Sequence, residues 1–310
     1  MRSAGLWLVL AATQVFSTCP IHRCGELDQG YCLQRQGLDY VYEECPGSAP
    51  YCNLDYGKDV GRCSLGVPEL KFTGETCKVD FDCFSRNCSE GVCIGPSQKR
   101  CRTTLDCLPG ERCSQNTCKA LIPAGKSGCF VNPDCELHSG CFEGVCIPFF
   151  SLSPGAKTEC RVHMTSLLCE SGRCADLHCI PKPSALTTYP QECYDDYECE
   201  VEDCAGYQVP AVCGCGLGSK GQEACKLRVT DDVMQEYLDL VKEWLLGTEI
   251  ERCHSSARFA EPCMRQYWAG WKLKRLQTLS LVFRFVPLQY VEPCVLDVLK
   301  HSSMLKHIVI

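Results

Sequence analysis

The chain has 310 residues, 31 of them cysteine, and a formal net charge of −7. One cysteine in ten residues marks modules too small to bury cores of their own, held instead by cross-links. The acidic balance argues against nucleic acid as a partner, because phosphate binding needs a basic face.

The N-terminus predicts export. Arg2 precedes the apolar run Leu6-Trp-Leu-Val-Leu-Ala-Ala, and small residues sit near Ser17. Residues 1–17 therefore read as a signal peptide. No later apolar run is long enough to span a bilayer, so the mature chain is expected to lack a transmembrane segment.

Residues 18–73 form an N-terminal cysteine-rich module with Cys19, Cys24, Cys32, Cys45, Cys52 and Cys63, and with Tyr51 directly before Cys52. Its Gly, Asn and Asp residues point to tight turns joining short strands.

Residues 74–181 hold four tandem four-cysteine units: Cys77, Cys83, Cys88 and Cys93; Cys101, Cys107, Cys113 and Cys118; Cys129, Cys135, Cys141 and Cys146; Cys160, Cys169, Cys174 and Cys179. Recurrence at about two dozen residues indicates a modular array. Short, turn-rich linkers predict an extended array with neighbours in contact. An aspartate precedes the second cysteine in three units (Asp82, Asp106, Asp134), where it is expected to cap a turn through backbone hydrogen bonds. Calcium is the alternative, but it needs several oxygen ligands converging in each unit.

Residues 182–226 form a six-cysteine module opening on Cys193-Tyr194-Asp195-Asp196-Tyr197-Glu198-Cys199. Residues 227–310 form a mainly α-helical C-terminal region. Thr230 is the candidate N-cap, Asp231 and Asp232 suit a helix N-terminus, and Gly247 suits its stop. Between them Val233, Tyr237, Leu238, Val241, Trp244 and Leu245 recur at helical steps. Residues 227–253 carry 3 basic and 7 acidic side chains, and residues 254–310 carry 8 and 3. The basic tail is expected to face the acidic helix, with anionic glycans or membrane surfaces as alternative partners.

The fold class is thus small disulfide-rich modules in tandem, built of short β-hairpins and turns, followed by a mainly α-helical region. Four cysteines allow three connectivities; the interleaved one, first to third and second to fourth, best resists hinging open. If the modules close on themselves, three cysteines remain in the helical region. Cys253 and Cys263 can pair, which makes Cys294 the candidate unpaired thiol and a possible route to a disulfide-linked dimer. Zinc is disfavoured because Cys-x-x-Cys never occurs and the seven histidines are scattered. No metalloprotease, serine-hydrolase or phosphate-loop pattern is complete, so no catalytic residue, cofactor or metal site is assigned and an enzyme is not expected. Asn87-Cys88-Ser89 fits the N-glycosylation pattern.

Cys101-x5-Cys107-Leu-Pro-Gly-x-x-Cys113-x4-Cys118 resembles the latter half of the N-terminal cysteine-rich domain of Dickkopf proteins. Cys45 to Cys63 resembles its first half. The family's doubled cysteine at the second position is single here, since Leu108 follows Cys107, and its units occur in tandem. The resemblance implies a secreted modulator of Wnt signalling that binds an extracellular protein or cell-surface receptor. Two alternatives accompany it: a secreted protease inhibitor using Arg112 or Arg173, and a structural matrix or granule protein.

Overall fold

The structure, a computed structural model, describes residues 19–300 apart from 50, 55–59, 65–70, 96–99, 159–165, 176, 190, 203–207, 210–211, 216–222, 229, 260 and 285–291. Small disulfide-linked strand pairs follow one another along the chain, and four helices close it.

The N-terminal module is a five-stranded sheet of β1 (His22–Cys24), β2 (Tyr31–Gln36), β3 (Asp39–Tyr42), β4 (Tyr51–Leu54) and β5 (Val60–Ser64), in the order β1-β3-β2-β5-β4. Only β1 and β3 run parallel. Next come four hairpins: β6 (Cys88–Ser89) with β7 (Val92–Cys93), β8 (Glu111–Ser114) with β9 (Thr117–Ala120), β10 (Ser139–Phe142) with β11 (Val145–Pro148), and β12 (Cys174–Ala175) with β13 (His178–Cys179). The six-cysteine module contributes β14 (Glu192–Cys193), the pair β15 (Val201–Glu202) and β16 (Gln208–Val209), then β17 (Cys213–Gly214) and β18 (Glu223–Cys225).

One frame recurs throughout. Two cysteines stand directly opposite each other on paired strands: Cys52 and Cys63, Cys88 and Cys93, Cys113 and Cys118, Cys141 and Cys146, Cys174 and Cys179, Cys213 and Cys225. They do not bond to each other. Where both partners are described, each reaches back to an earlier cysteine, so two bridges cross: Cys77–Cys88 with Cys83–Cys93, Cys101–Cys113 with Cys107–Cys118, and Cys129–Cys141 with Cys135–Cys146. The crossing also occurs with longer loops, as Cys32–Cys52 with Cys45–Cys63 and as Cys193–Cys213 with Cys199–Cys225. In the fourth unit Cys169 bonds Cys179 and Cys174 is bridged, while Cys160 lies outside the described residues.

The hairpin turns suit this frame. Two residues separate the strands, and both take positive φ: Glu90 and Gly91, Gln115 and Asn116, Glu143 and Gly144. Such turns match the right-handed twist of the strands they join. Each bridge restrains the unfolded chain and contributes roughly 2–4 kcal/mol, which compensates for the small local cores.

The helices are α1 (Asp232–Leu246), α2 (Glu261–Tyr267), α3 (Gly270–Arg284) and α4 (Pro293–Lys300). The expected face of α1 is inside: Tyr237, Leu238, Val241, Trp244 and Leu245 are buried against Met264 of α2, Leu276 and Leu279 of α3, and Leu137, Phe149, Leu167 and Leu168 of the third and fourth units. Acidic and basic helices pair as their charges require, through Glu236 with Arg275 and Glu243 with Lys272.

Two expectations about the helical region are corrected. Thr230 is not the N-cap: that place falls to Asp231, whose carboxylate is held by the Arg228 guanidinium at 3.0 Å in a buried ion pair. The Thr230 hydroxyl instead meets that of Thr187, and Asp232 accepts from the Val233 and Tyr189 amides. Cys294 is not unpaired: it bonds Cys24, 270 residues away in sequence. Val295, Val298 and Leu299 of α4 bury their side chains against Leu33, Tyr42 and Leu54 of the first sheet, and that packing carries Cys294 to β1. Cys253 pairs with Cys263. A further bridge, Cys19–Cys215, joins the first module to the six-cysteine module. The modules are therefore not self-contained, and the two ends of the array are tied back onto other parts of the chain. All 29 cysteines among the described residues are bridged. The odd cysteine is one of the remaining two, Cys160 and Cys204.

Candidate interaction surface

In the first three units, and again between Cys193 and Cys199, the five residues between the first and second cysteines form a loop closed by a short 3-10 turn. The carboxylate before the second cysteine folds back and takes backbone amides from the start of that loop. Asp82 accepts from Lys78 and Val79 at 2.8 and 3.3 Å, Asp106 from Arg102 and Thr103 at 2.7 and 3.0 Å, and Asp134 from Phe130 and Val131 at 2.8 and 3.2 Å. The Lys78 and Val79 amides hold the Asp82 carboxyl below the usual carboxylate range.

A second acceptor sits three residues after the first cysteine and receives the amide of the third cysteine. It is Asp80 for Cys88 at 2.7 Å, Thr104 for Cys113 at 3.3 Å and Asn132 for Cys141 at 2.8 Å. The loop is thus pinned to the hairpin by hydrogen bonds as well as by sulfur.

The Cys193–Cys225 module carries the same frame. Glu198 takes the Tyr194 amide at 2.6 Å, and Asp196 takes the Cys213 amide at 2.7 Å. The signal was present in the sequence: five residues separate Cys193 from Cys199, and an acid stands immediately before the second of them. The longer stretch before Cys213 hid the kinship.

With its backbone satisfied internally, the loop turns its other side chains outward. Phe81 is 72% exposed, Phe130 90% and Tyr197 78%, and Val79, Val131 and Tyr194 are exposed beside them. The second unit presents Arg102 and Thr103 on this loop and Leu108 just beyond Cys107. Large apolar side chains at this exposure leave apolar area that the fold itself does not bury.

The helical region fixes how neighbouring units sit. Arg258 is fully buried, and its guanidinium donates to the carbonyls of Asn132, Glu136 and Leu137 at 2.7, 3.1 and 3.0 Å. It lies over the rings of Phe149 and Phe259. Burial lowers its pKa to about 9. His254 is buried against the second unit. Its Nδ1 accepts from the Ser256 amide, so Nε2 carries the proton and donates to the Cys107 carbonyl at 3.2 Å. Neither residue stood out in the sequence, because pattern reading assigns Arg and His to the surface.

The remaining candidate residues fall as follows. The described cysteines from Cys77 to Cys179 are structural, as their bridges require, and Cys160 lies outside the described residues. Groups such as Cys77, Cys83 and Cys93 bring three sulfurs within 4.8 Å, but all three are consumed in disulfides and offer no thiolate to a metal. Asn87 is exposed at the rim of a cleft of about 420 Å³ between the first and second units, beside Phe84 and Ile94. Arg173, a candidate inhibitory residue, is buried and donates to Gln235 of α1 at 3.0 Å. Arg112 lies within β8, opposite Lys119. Neither occupies an exposed reactive loop.

No protein-family model matches the chain, and comparison with curated proteins and with solved structures finds no match. Among the described residues no helix is long and apolar enough to cross a membrane.

Proposed function

We propose that this chain is an exported, non-enzymatic binding protein whose disulfide frames hold short loops rigidly for contact with an extracellular protein or cell-surface receptor. The observation that supports this most directly is the pairing of a repeated backbone frame with exposed loop side chains that vary between copies, large and apolar in three of them. Such a loop loses little conformational entropy on binding, because its backbone is already fixed. The density of bridges fits an oxidising compartment, and the apolar N-terminal run reads as the export signal.

The resemblance to Dickkopf N-terminal domains makes modulation of Wnt-type signalling the pathway class to examine first. The inhibitor alternative loses support because Arg173 is buried beneath α1. The cross-linked matrix alternative loses the thiol it relied on, because Cys294 is bridged within the chain.

The test is binding of the tagged, secreted protein to intact cells, measured by flow cytometry. Saturable binding is expected for the natural chain. It should fall at least about tenfold in a Phe81→Asp, Phe130→Asp, Tyr197→Asp variant, as removal of central apolar anchors does. A chain retained in cells with reduced thiols, or a triple variant that binds as well as the natural chain, refutes the proposal.

A further inference from the structure

A cleft of about 490 Å³ opens where the segment leading into the first unit, the second unit and the helical region meet. From these separate stretches three cations converge on it: Lys71, Arg252 and Arg265. Arg252 and Arg265 are exposed. Arg252 makes no ion pair among the described residues and lies 5.6 Å from the centre of the Tyr267 ring. Lys71 is steadied by donating to the Thr76 carbonyl at 2.6 Å.

One carboxylate, Glu75, lines the cleft. It accepts from the Phe72 amide at 2.6 Å and faces the Lys71 charge; burial raises its pKa against both of these. The imidazole of His254 stacks on Phe72 and adds a flat, neutral wall, since burial depresses its pKa. Pro109 and Tyr267 supply further apolar surface.

We propose that this cleft binds a sulfated saccharide of the extracellular glycans. Three like charges meeting in a concave site focus a positive field, which an anion relieves. The volume lies in the range of small-ligand sites and far exceeds a bare anion. The ring faces of Phe72 and Tyr267 suit the C–H faces of a pyranose while the guanidinium groups take its sulfates in forked pairs. The source of the sugar rests on the chain being exported. Purified protein tests the binding alone, so export and binding can fail separately.

The experiment is calorimetric titration of the full-length protein with a heparin-derived tetrasaccharide at physiological ionic strength. The comparison ligands are its desulfated counterpart, inorganic sulfate and a hexaglutamate peptide. The natural chain is expected to bind the sulfated tetrasaccharide in preference to all three. Arg252→Gln with Arg265→Gln should weaken binding by about tenfold or more, the effect of losing charge-assisted contacts. Lys71→Gln, from a different part of the chain, should weaken it several-fold. Lys119→Gln with Lys126→Gln, exposed and outside the cleft, should leave it unchanged. The proposal is overturned if the natural chain does not bind or if the control pair lowers affinity as much as the cleft pair. It is equally overturned if hexaglutamate or sulfate binds through the same residues as tightly as the sugar.

Discussion

Arg258 joins the helical region to the third unit, and replacing it measures what that junction contributes. Its side chain makes three hydrogen bonds to carbonyls at 2.7–3.1 Å and is 1% exposed. Bonds to a charged donor contribute about 1.5–3 kcal/mol each, or roughly 5–9 kcal/mol together. Against that stands the cost of removing the guanidinium from water, which is still several kcal/mol after relaxation. Arg258→Met keeps much of the volume, removes the buried charge and leaves the Leu137 carbonyl without its donor. The Asn132 and Glu136 carbonyls retain the amides of Cys135 and Ser139. The balance predicts a loss of about 3 kcal/mol. Arg258→Lys should cost more, since it keeps the buried charge but loses the planar fork. The disulfide frames stay closed, so the loss should appear as undocking of the helices. Trp244 reports it, because its Nε1 donates to the Arg258 carbonyl at 2.7 Å. The assay is a urea titration under non-reducing conditions, followed by tryptophan fluorescence. A Met variant within 0.5 kcal/mol of the natural chain (about a third of a decade in the equilibrium constant), or one more stable than it, refutes the reasoning.

Asp134→Ala should free the Phe130 and Val131 amides and cost about 2 kcal/mol locally, read as faster hydrogen exchange at those two amides with the Cys129–Cys141 and Cys135–Cys146 bridges intact. Cys24→Ser with Cys294→Ser should release α4 from the first sheet, read as new protease cleavage C-terminal to α3 and no change in the tandem units. His22 stacks on Tyr40, takes its Nδ1 contact from the Tyr42 hydroxyl, and has a pKa lowered by burial to about 4, against a partly opposing pull from Asp39. The unfolded chain takes up the proton first, so the stability from this site is complete above about pH 6.5 and falls as the pH drops towards 4. His22→Phe should flatten that dependence in near-ultraviolet circular dichroism. Alkylation of the unreduced protein should find a single thiol. If the fourth unit pairs as its neighbours do, peptide mapping places that thiol at Cys204, and labelling at Cys294 contradicts the bridge to Cys24.

The spacing of the cysteines made the tandem units legible, because a frame with loops of five and four residues leaves a mark in the chain itself. The face of α1 was legible for the same reason, since Tyr237, Leu238, Val241 and Trp244 repeat with the helix. Long-range bridges leave no such mark. Cys24 and Cys294 meet only because α4 buries Val295 and Val298 on a sheet formed 250 residues earlier. Helix α3 resisted reading because its buried residues, Leu273, Leu276 and Leu279, share the segment with an exposed Trp271 and with basic residues. Arg258 and His254 were invisible as structural residues, since their interior place depends on carbonyls supplied by other units.

The recurring acceptors separate folding from display within each unit. Asp80, Thr104, Asn132 and Asp196 are three residue types that do one task, receiving the amide of the third cysteine in the frame. Asp82, Asp106, Asp134 and Glu198 do the other, closing the loop on itself. Between these positions the chain places Phe81, Leu105, Pro133 and Tyr197, which have no hydrogen-bonding side-chain group in common. A residue needed by the frame would be held to one hydrogen-bonding capacity, and these are not. Substituting the exposed ones, Phe81 and Tyr197, should therefore leave stability within about 0.5 kcal/mol, as at other surface sites. A variant such as Phe81→Asp that folds, exports and melts like the natural chain but no longer binds cells would locate the lost free energy in contact with a partner, because the frame offers it no other place.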